Sequence, residues 1–148
     1  KLTKKEIWSK SIISWLDSAL DKFVDNNSTP FEIWYPNNKK SFPSLTAGFI
    51  LIDVICDVYN FVQRNDKWLE TALKIANKCN SWSWDIGLIP MSPLSEINHL
   101  DNQIDFAISI RKLAELTNNH SLLQASFNLV EQTLIIMLTL KPYKFQKE

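Results

Sequence analysis

The stretch LDNQIDFAISIRKLAELTNNHSLLQASFNLVEQTL, Leu100 to Leu134, decides the fold. Leu100, Ile104, Ala107 and Ile108 recur at helical spacing, and Phe106, Ile110 and Leu113 widen the apolar stripe until it nearly surrounds the helix. Thr117-Asn118-Asn119-His120-Ser121 breaks the pattern, and Leu122, Leu123, Ser126, Phe127, Val130 and Leu134 begin a second stripe. The stretch therefore predicts a helical hairpin.

Working outward, the same unit recurs. Pro90 stands 54 positions after Pro36, and Asn119 stands 54 positions after Asn65. Trp68-Leu69-Glu70-Thr71-Ala72-Leu73 matches Trp15-Leu16-Asp17-Ser18-Ala19-Leu20 position by position, each residue identical or conservatively replaced. A period near 50 residues points to stacked supersecondary units, each burying its apolar face against the next.

Helices are expected over about 3–24, 44–63, 66–79, 100–117 and 121–140, in one all-helical domain spanning 1–148. The first carries Trp8, Ile12, Trp15, Leu16, Ala19, Leu20 and Phe23 on one face. The second and fourth are apolar nearly all round, as suits helices walled in on every side, whereas the first, third and fifth are one-sided. Short turns alternate with long loops. That alternation predicts an all-α fold of repeated antiparallel hairpins in two layers, with parallel inner helices and the long loops gathered at one rim. A non-helical segment runs from Asp25 to Pro43, and the Lys141-Pro142 step is expected to end the fifth helix ahead of a loose charged tail.

Composition excludes several classes. Sixteen Lys and Arg balance sixteen Asp and Glu, so no basic stripe argues for nucleic acid. Two glycines cannot build a phosphate loop, and their scarcity disfavours a turn-rich sandwich or barrel. The apolar run from Phe49 to Val62 is interrupted by Asp53 and Asp57, which argues against a membrane span there. Two cysteines are too few for a disulfide framework. Cys56 and Cys79 fall at different heights in their hairpin and are expected to be free, which favours a reducing, cytoplasmic setting. With two histidines and no second ligand at metal spacing, no metal site is expected, and no cofactor.

The chain resembles the six-hairpin, alpha/alpha toroid superfamily, which includes many glycoside hydrolases and the sugar 2-epimerases. The resemblance is carried by Ile86-Gly87-Leu88-Ile89-Pro90, by Leu100-Asp101-Asn102-Gln103-Ile104-Asp105 at the start of an inner helix, and by the turn Lys112-Leu113-Ala114-Glu115-Leu116-Thr117-Asn118-Asn119 leading to Leu122-Leu123-Gln124-Ala125. It covers most of Thr29 to Leu140 at the level of the fold repeat, through scaffold motifs with no catalytic signature. About five helices make two and a half hairpins where a closed toroid has about six, so the expectation is an arc, either open or part of a larger ring. A first residue of Lys rather than Met is in keeping with a fragment or a processed form.

The resemblance implies a carbohydrate partner and a site at the rim formed by the long loops and the inner-helix N-termini. Asp85, Glu96, His99, Asp101 and Asp105 fall there, with Glu32 on the earlier loop. Glycoside hydrolysis needs two carboxylates facing one bond, one protonated and one ionised, and Asp101 with Glu96 is the preferred pair. An acid at a helix start is also a capping residue, and Asn98 with Asp101 resembles a capping box. Trp34, Tyr35, Trp82 and Trp84 offer a platform for a sugar ring or plugs for the ends of the core, and His99 could shuttle a proton. The alternative function is a helical-repeat interaction or structural module without catalysis.

Two further expectations follow from the repeat. The end helices lack neighbours, so apolar surface should be exposed on the first or fifth helix, most of all at Ile135-Ile136-Met137-Leu138, inviting self-association or cover by further chain. Arg111 stands 54 positions after Asp57, so the two should meet as a buried ion pair between the inner helices.

Overall fold

The computed structural model describes residues 3–35, 37 and 40–139. Pro36 of the repeat, the expected helix end at Leu140, the Lys141-Pro142 step and the tail lie outside the described residues. The elements, in order, are α1 (Lys4–Phe23), β1 (Phe31–Trp34), β2 (Lys40–Pro43), α2 (Leu45–Phe61), α3 (Asp66–Asn80), α4 (Leu100–Thr117) and α5 (His120–Thr139). The fold is mostly helical, with a small two-stranded antiparallel sheet in the segment expected to be irregular. Phe31 pairs with Pro43, Ile33 with Ser41 and Trp34 with Lys40.

The helix ends follow from local chemistry. Thr3 closes a full capping box with Glu6, whose pKa is held below the usual carboxylate value by the Thr3 backbone N–H and then its hydroxyl. Ser44 and Asn65 cap α2 and α3 with their side chains. Asn118 takes the left-handed conformation at φ 51° and ends α4, and Asn119 then accepts the Leu122 N–H at 3.0 Å. Asn tolerates that backbone better than any branched residue would.

Around the short turn at 62–65, α3 returns against α2, and α5 returns against α4 in the same way. The starts of α2 and α4 meet through Thr46 and Asn102, and their later turns meet through Asp53, Asp57 and Lys112. These two helices are therefore parallel neighbours. Ile52, Ile55, Ile75, Phe106, Ile110 and Leu113 fill the core between them and α3. α1 joins from the other side: the Trp68 indole N–H donates to Asp17 Oδ1 at 2.9 Å, and the Lys40 ammonium donates to the Asp21 and Val24 carbonyls at the end of α1.

One expectation about the layers is corrected. α2 and α4 are not walled in all round, since Ile50 and Ile108 are about half exposed and share an open face with Asp53 and Asp105. The reason is that no described element covers that side. Among the described residues, α5 alone is long and apolar enough to cross a bilayer, by length and composition. Here it packs on α4 and buries Leu122, Ser126, Leu129 and Thr133.

Candidate functional site

The rim expected to carry function is built by four segments that bond to one another. Ser44 Oγ donates to Glu32 Oε1 at 2.5 Å and accepts from the Ala47 N–H at 3.3 Å. The Leu45 N–H reaches the Met91 carbonyl at 2.9 Å, and Asn102 Nδ2 donates both to Thr46 Oγ1 at 3.2 Å and to Met91 Sδ at 2.8 Å. Gln103, fully buried, clamps Ile89: its Oε1 accepts the Ile89 N–H at 2.9 Å and its Nε2 donates to the Ile89 carbonyl at 2.7 Å. The loop that leads from α3 to α4 is thus tied down at Ile89 and Met91, and its own Leu88, Ile89 and Pro90 are buried.

Asp101 sits in the first turn of α4, exposed, and its Oδ1 accepts the Asn102 N–H at 2.9 Å. An acid there satisfies a free amide and meets the positive end of the helix. The cap position itself belongs to His99, whose side chain makes no capping bond, so the expected Asn98–Asp101 capping box does not form. Glu96 is exposed on the loop, and neither it nor Asp101 lines any of the five principal cavities of the described residues.

The aromatic candidates divide. Trp82 is in the core and Trp84 is packed against it, so both plug the end of the hairpin. Trp34 is half-buried, with the Lys22 ammonium 4.9 Å from its ring centroid, a cation–π contact that already occupies one face. Tyr35 is exposed.

Asp85 opens on a groove of about 710 Å³ lined by Ile86, Gly87, Asn128, Glu131, Gln132 and Ile136. A second cavity of about 280 Å³ lies on the other side of Gly87 and shares Asn128 and Gln132 with it. Gly87, at φ +80°, is needed here, because a Cβ on it would stand 3.2 Å from Gln132 Cγ. The groove therefore offers two carboxylates and two amides over an apolar floor.

The ion pair between the inner helices is corrected by one residue. Asp57 pairs with Lys112 at 2.5 Å, Asp53 with the same ammonium at 2.9 Å, and Arg111 turns outward to Glu115 at 2.9 Å. One residue is about 100° of helix rotation, which decides between facing α2 and facing water. All of these side chains are partly exposed, so the tie is a surface network and not a buried pair. Partial burial alone would lower the pKa of Lys112, but hydrogen bonds and charge from Asp53 and Asp57 outweigh it and hold it above the usual lysine value.

Cys56 and Cys79 are free and buried. Burial pushes both thiols up, Cys56 to about 12, with Lys112 opposing and Asp53 and Asp57 adding to the rise. Among the described residues no group of three His, Cys, Asp or Glu could hold a metal ion. Sequence reasoning missed Gln103, Lys112 and the groove on α5. Gln103 carried a signal, a polar amide inside an otherwise apolar helical stripe; of the groove only Asp85 was expected, while Asn128, Glu131 and Gln132 on α5 carried no signal. The chain matches no protein-family model, no curated protein and no solved structure.

Proposed function

We propose that the chain is an interaction module, an arc of helical hairpins of the alpha/alpha toroid kind whose two end faces dock apolar helical surface. The observation that carries this reading is a pair of exposed apolar stripes, one on α1 and one on α5. On α1, Trp8, Ile12 and Trp15 follow one another at helical spacing, Trp8 69% and Trp15 57% exposed. On α5, Phe127, Leu134 and Leu138 do the same, Leu138 being 85% exposed. α1 touches α2 and β1 whereas α5 touches α4, so the two stripes flank the parallel inner pair on opposite sides. Contiguous apolar stripes of this kind mark interaction surfaces, where single exposed leucines do not.

The test separates a docking face from a loosely packed core. Trp8→Ser and Leu134→Ser should each alter the stability of the monomer by no more than about 0.5 kcal/mol. A photo-crosslinking residue at position 12 or 134 should give a discrete protein adduct in cells, and one at the exposed polar position Lys74 should give none. Losses of about 3 to 5 kcal/mol would place these side chains in the folding core and overturn the reading.

A second reading, a carbohydrate-active domain, is favoured by the groove beside Asp85, whose carboxylates and amides could bond sugar hydroxyls. Asp101 and Glu96, the acid and base expected from the resemblance, do not line that groove, so the reading is one of sugar binding. Calorimetric titration with a panel of neutral oligosaccharides tests it: binding lost in Asp85→Ala supports it, and no heat from any of them removes its support.

A further inference from the structure

We infer that the open side shared by α2 and α4 binds an extended basic peptide segment, whose lysine or arginine side chains answer a row of carboxylates. The end faces take no part, so this goes beyond the docking reading, and its failure leaves that reading standing.

The row follows from helical spacing and register. Thr46, Ile50, Asp53 and Asp57 recur along one face of α2, and Asp101, Asp105, Ile108 and Lys112 recur with the same spacing along one face of α4. Asn102 bonds to Thr46, and 102 − 46 = 56, while Lys112 reaches both Asp53 and Asp57. Asp101 and Asp105 therefore stand about level with Leu45 and Phe49 of α2. Four residues of helix rise about 6 Å, so Asp101, Asp105, Asp53 and Asp57 form a ladder with rungs about 6 Å apart along the axes.

Cations on this side are few. α2 has no Lys or Arg, and of the two on α4, Arg111 turns outward to Glu115 and Lys112 is shared by Asp53 and Asp57. Asp101 and Asp105 are exposed and form no ion pair among the described residues. Lys112 also shows how a cation seats here, its ammonium held between carboxylates one turn apart. The seat one rung higher, between Asp105 and Asp53, is a cleft of about 240 Å³ lined also by Phe49, Ile50, Val54 and Ile108. An incoming lysine or arginine lays its aliphatic stem on exposed Ile50 and Ile108 and brings its charge to the two carboxylates. The cleft is smaller than the roughly 300 Å³ at which small-molecule pockets begin, and suits a side chain. A docked helix needs an apolar stripe several turns long, which this side lacks. Two residues of an extended chain advance about 6.6 Å, close to the rung spacing, so alternate basic residues fit the ladder.

The test is fluorescence anisotropy with a labelled ten-residue peptide of alternating Lys and Thr, against the same peptide with Gln for Lys. The lysine peptide should bind, more weakly as salt rises, and the glutamine peptide should not. Asp105→Asn should weaken binding roughly threefold to fivefold, and Asp101→Asn/Asp105→Asn roughly tenfold or more. Glu70→Gln removes an exposed acid from α3, with the same change in net charge, and should leave the affinity unchanged. Lys112→Met vacates the seat between Asp53 and Asp57 and should tighten binding, a gain that damage to the fold does not produce. No binding at low salt overturns the inference, as does an equal loss in Glu70→Gln and Asp105→Asn. Displacement by spermine at a concentration equal to the peptide's would make the ligand a free polyamine and overturn it as well.

Discussion

The amide of Gln103 holds the backbone of Ile89 from both sides, donating to its carbonyl at 2.7 Å and accepting its N–H at 2.9 Å, inside a fully buried site. One side chain thus does for the loop what a neighbouring strand does for an extended segment.

Gln103→Leu keeps the volume and removes both partners, leaving a buried N–H and a buried carbonyl unpaired. Each such group costs about 1 to 3 kcal/mol, so urea unfolding should show a loss of roughly 2 to 6 kcal/mol. Gln103→Glu should do no better, because the carboxylate can accept the N–H but meets the carbonyl as a second acceptor. A loss below about 0.5 kcal/mol in either variant would mean that water replaces the amide freely.

Lys112→Met leaves Asp53 and Asp57 side by side, one helical turn apart, without their cation. Partly exposed pairs of this kind are worth about 1 kcal/mol, so a similar loss is expected at low salt and a smaller one at high salt. Because the folded pKa of Lys112 is raised, its contribution is fully present below the unfolded value of about 10.4 and is lost as pH rises through the folded pKa. Stability curves of wild type and variant should run parallel at neutral pH and converge in strong alkali. Curves that stay apart in strong alkali would mean that the Lys112 charge is not what separates them.

Gly48 lies where α2 meets α3, and a Cβ there would stand 2.7 Å from Cys79 Sγ and 3.3 Å from Pro30 Cγ. Alanine improves helix propensity by about 1 kcal/mol, but overpacking costs about 1 to 3, so Gly48→Ala should destabilise slightly. In a Cys79→Ala background the sulfur is gone, and Gly48→Ala should become neutral or stabilising. Equal effects in the two backgrounds would show that Pro30, and not the thiol, sets the limit.

Both thiols should be inert to an aromatic disulfide reagent at pH 8 in the native chain and react at once in guanidinium. Burial, which keeps Cys56 protonated up to about 12 and Cys79 likewise protonated, is the cause. Fast labelling of Cys56 without denaturant would reveal an opening of α2 that the native packing does not contain.

The helices were legible because their ends are written in the caps. Thr3 with Glu6, Ser44, Asn65 and Asn118 place four boundaries within two residues of the expected ones. The sheet was not legible: Phe31–Trp34 and Lys40–Pro43 are four residues each, one ending in proline, and neither alternates cleanly. An apolar run also cannot say which of its sides has a neighbour, so Ile50 and Ile108 read as enclosed when they face an open side. At the expected rim, the starts of α2 and α4 meet through Thr46 and Asn102. Its polar groups proved to bond to one another, because short side chains at adjacent helix starts satisfy free amides before they meet a ligand.

α1 has twenty residues, of which only Leu16 and Ala19 are buried. Its grip on the rest is partial packing of Ile13, Leu20 and Phe23 against the core, with the Trp68–Asp17 bond and the Lys40 ammonium at its end. Local opening follows burial, so amide hydrogens should exchange fastest along α1 and slowest in the middle of α4, where Phe106, Ile110 and Leu113 are fully enclosed. A face that opens easily is also one that a bound neighbour can close: in an adduct crosslinked at position 12 the α1 amides should slow, while those of α4 keep the same rate.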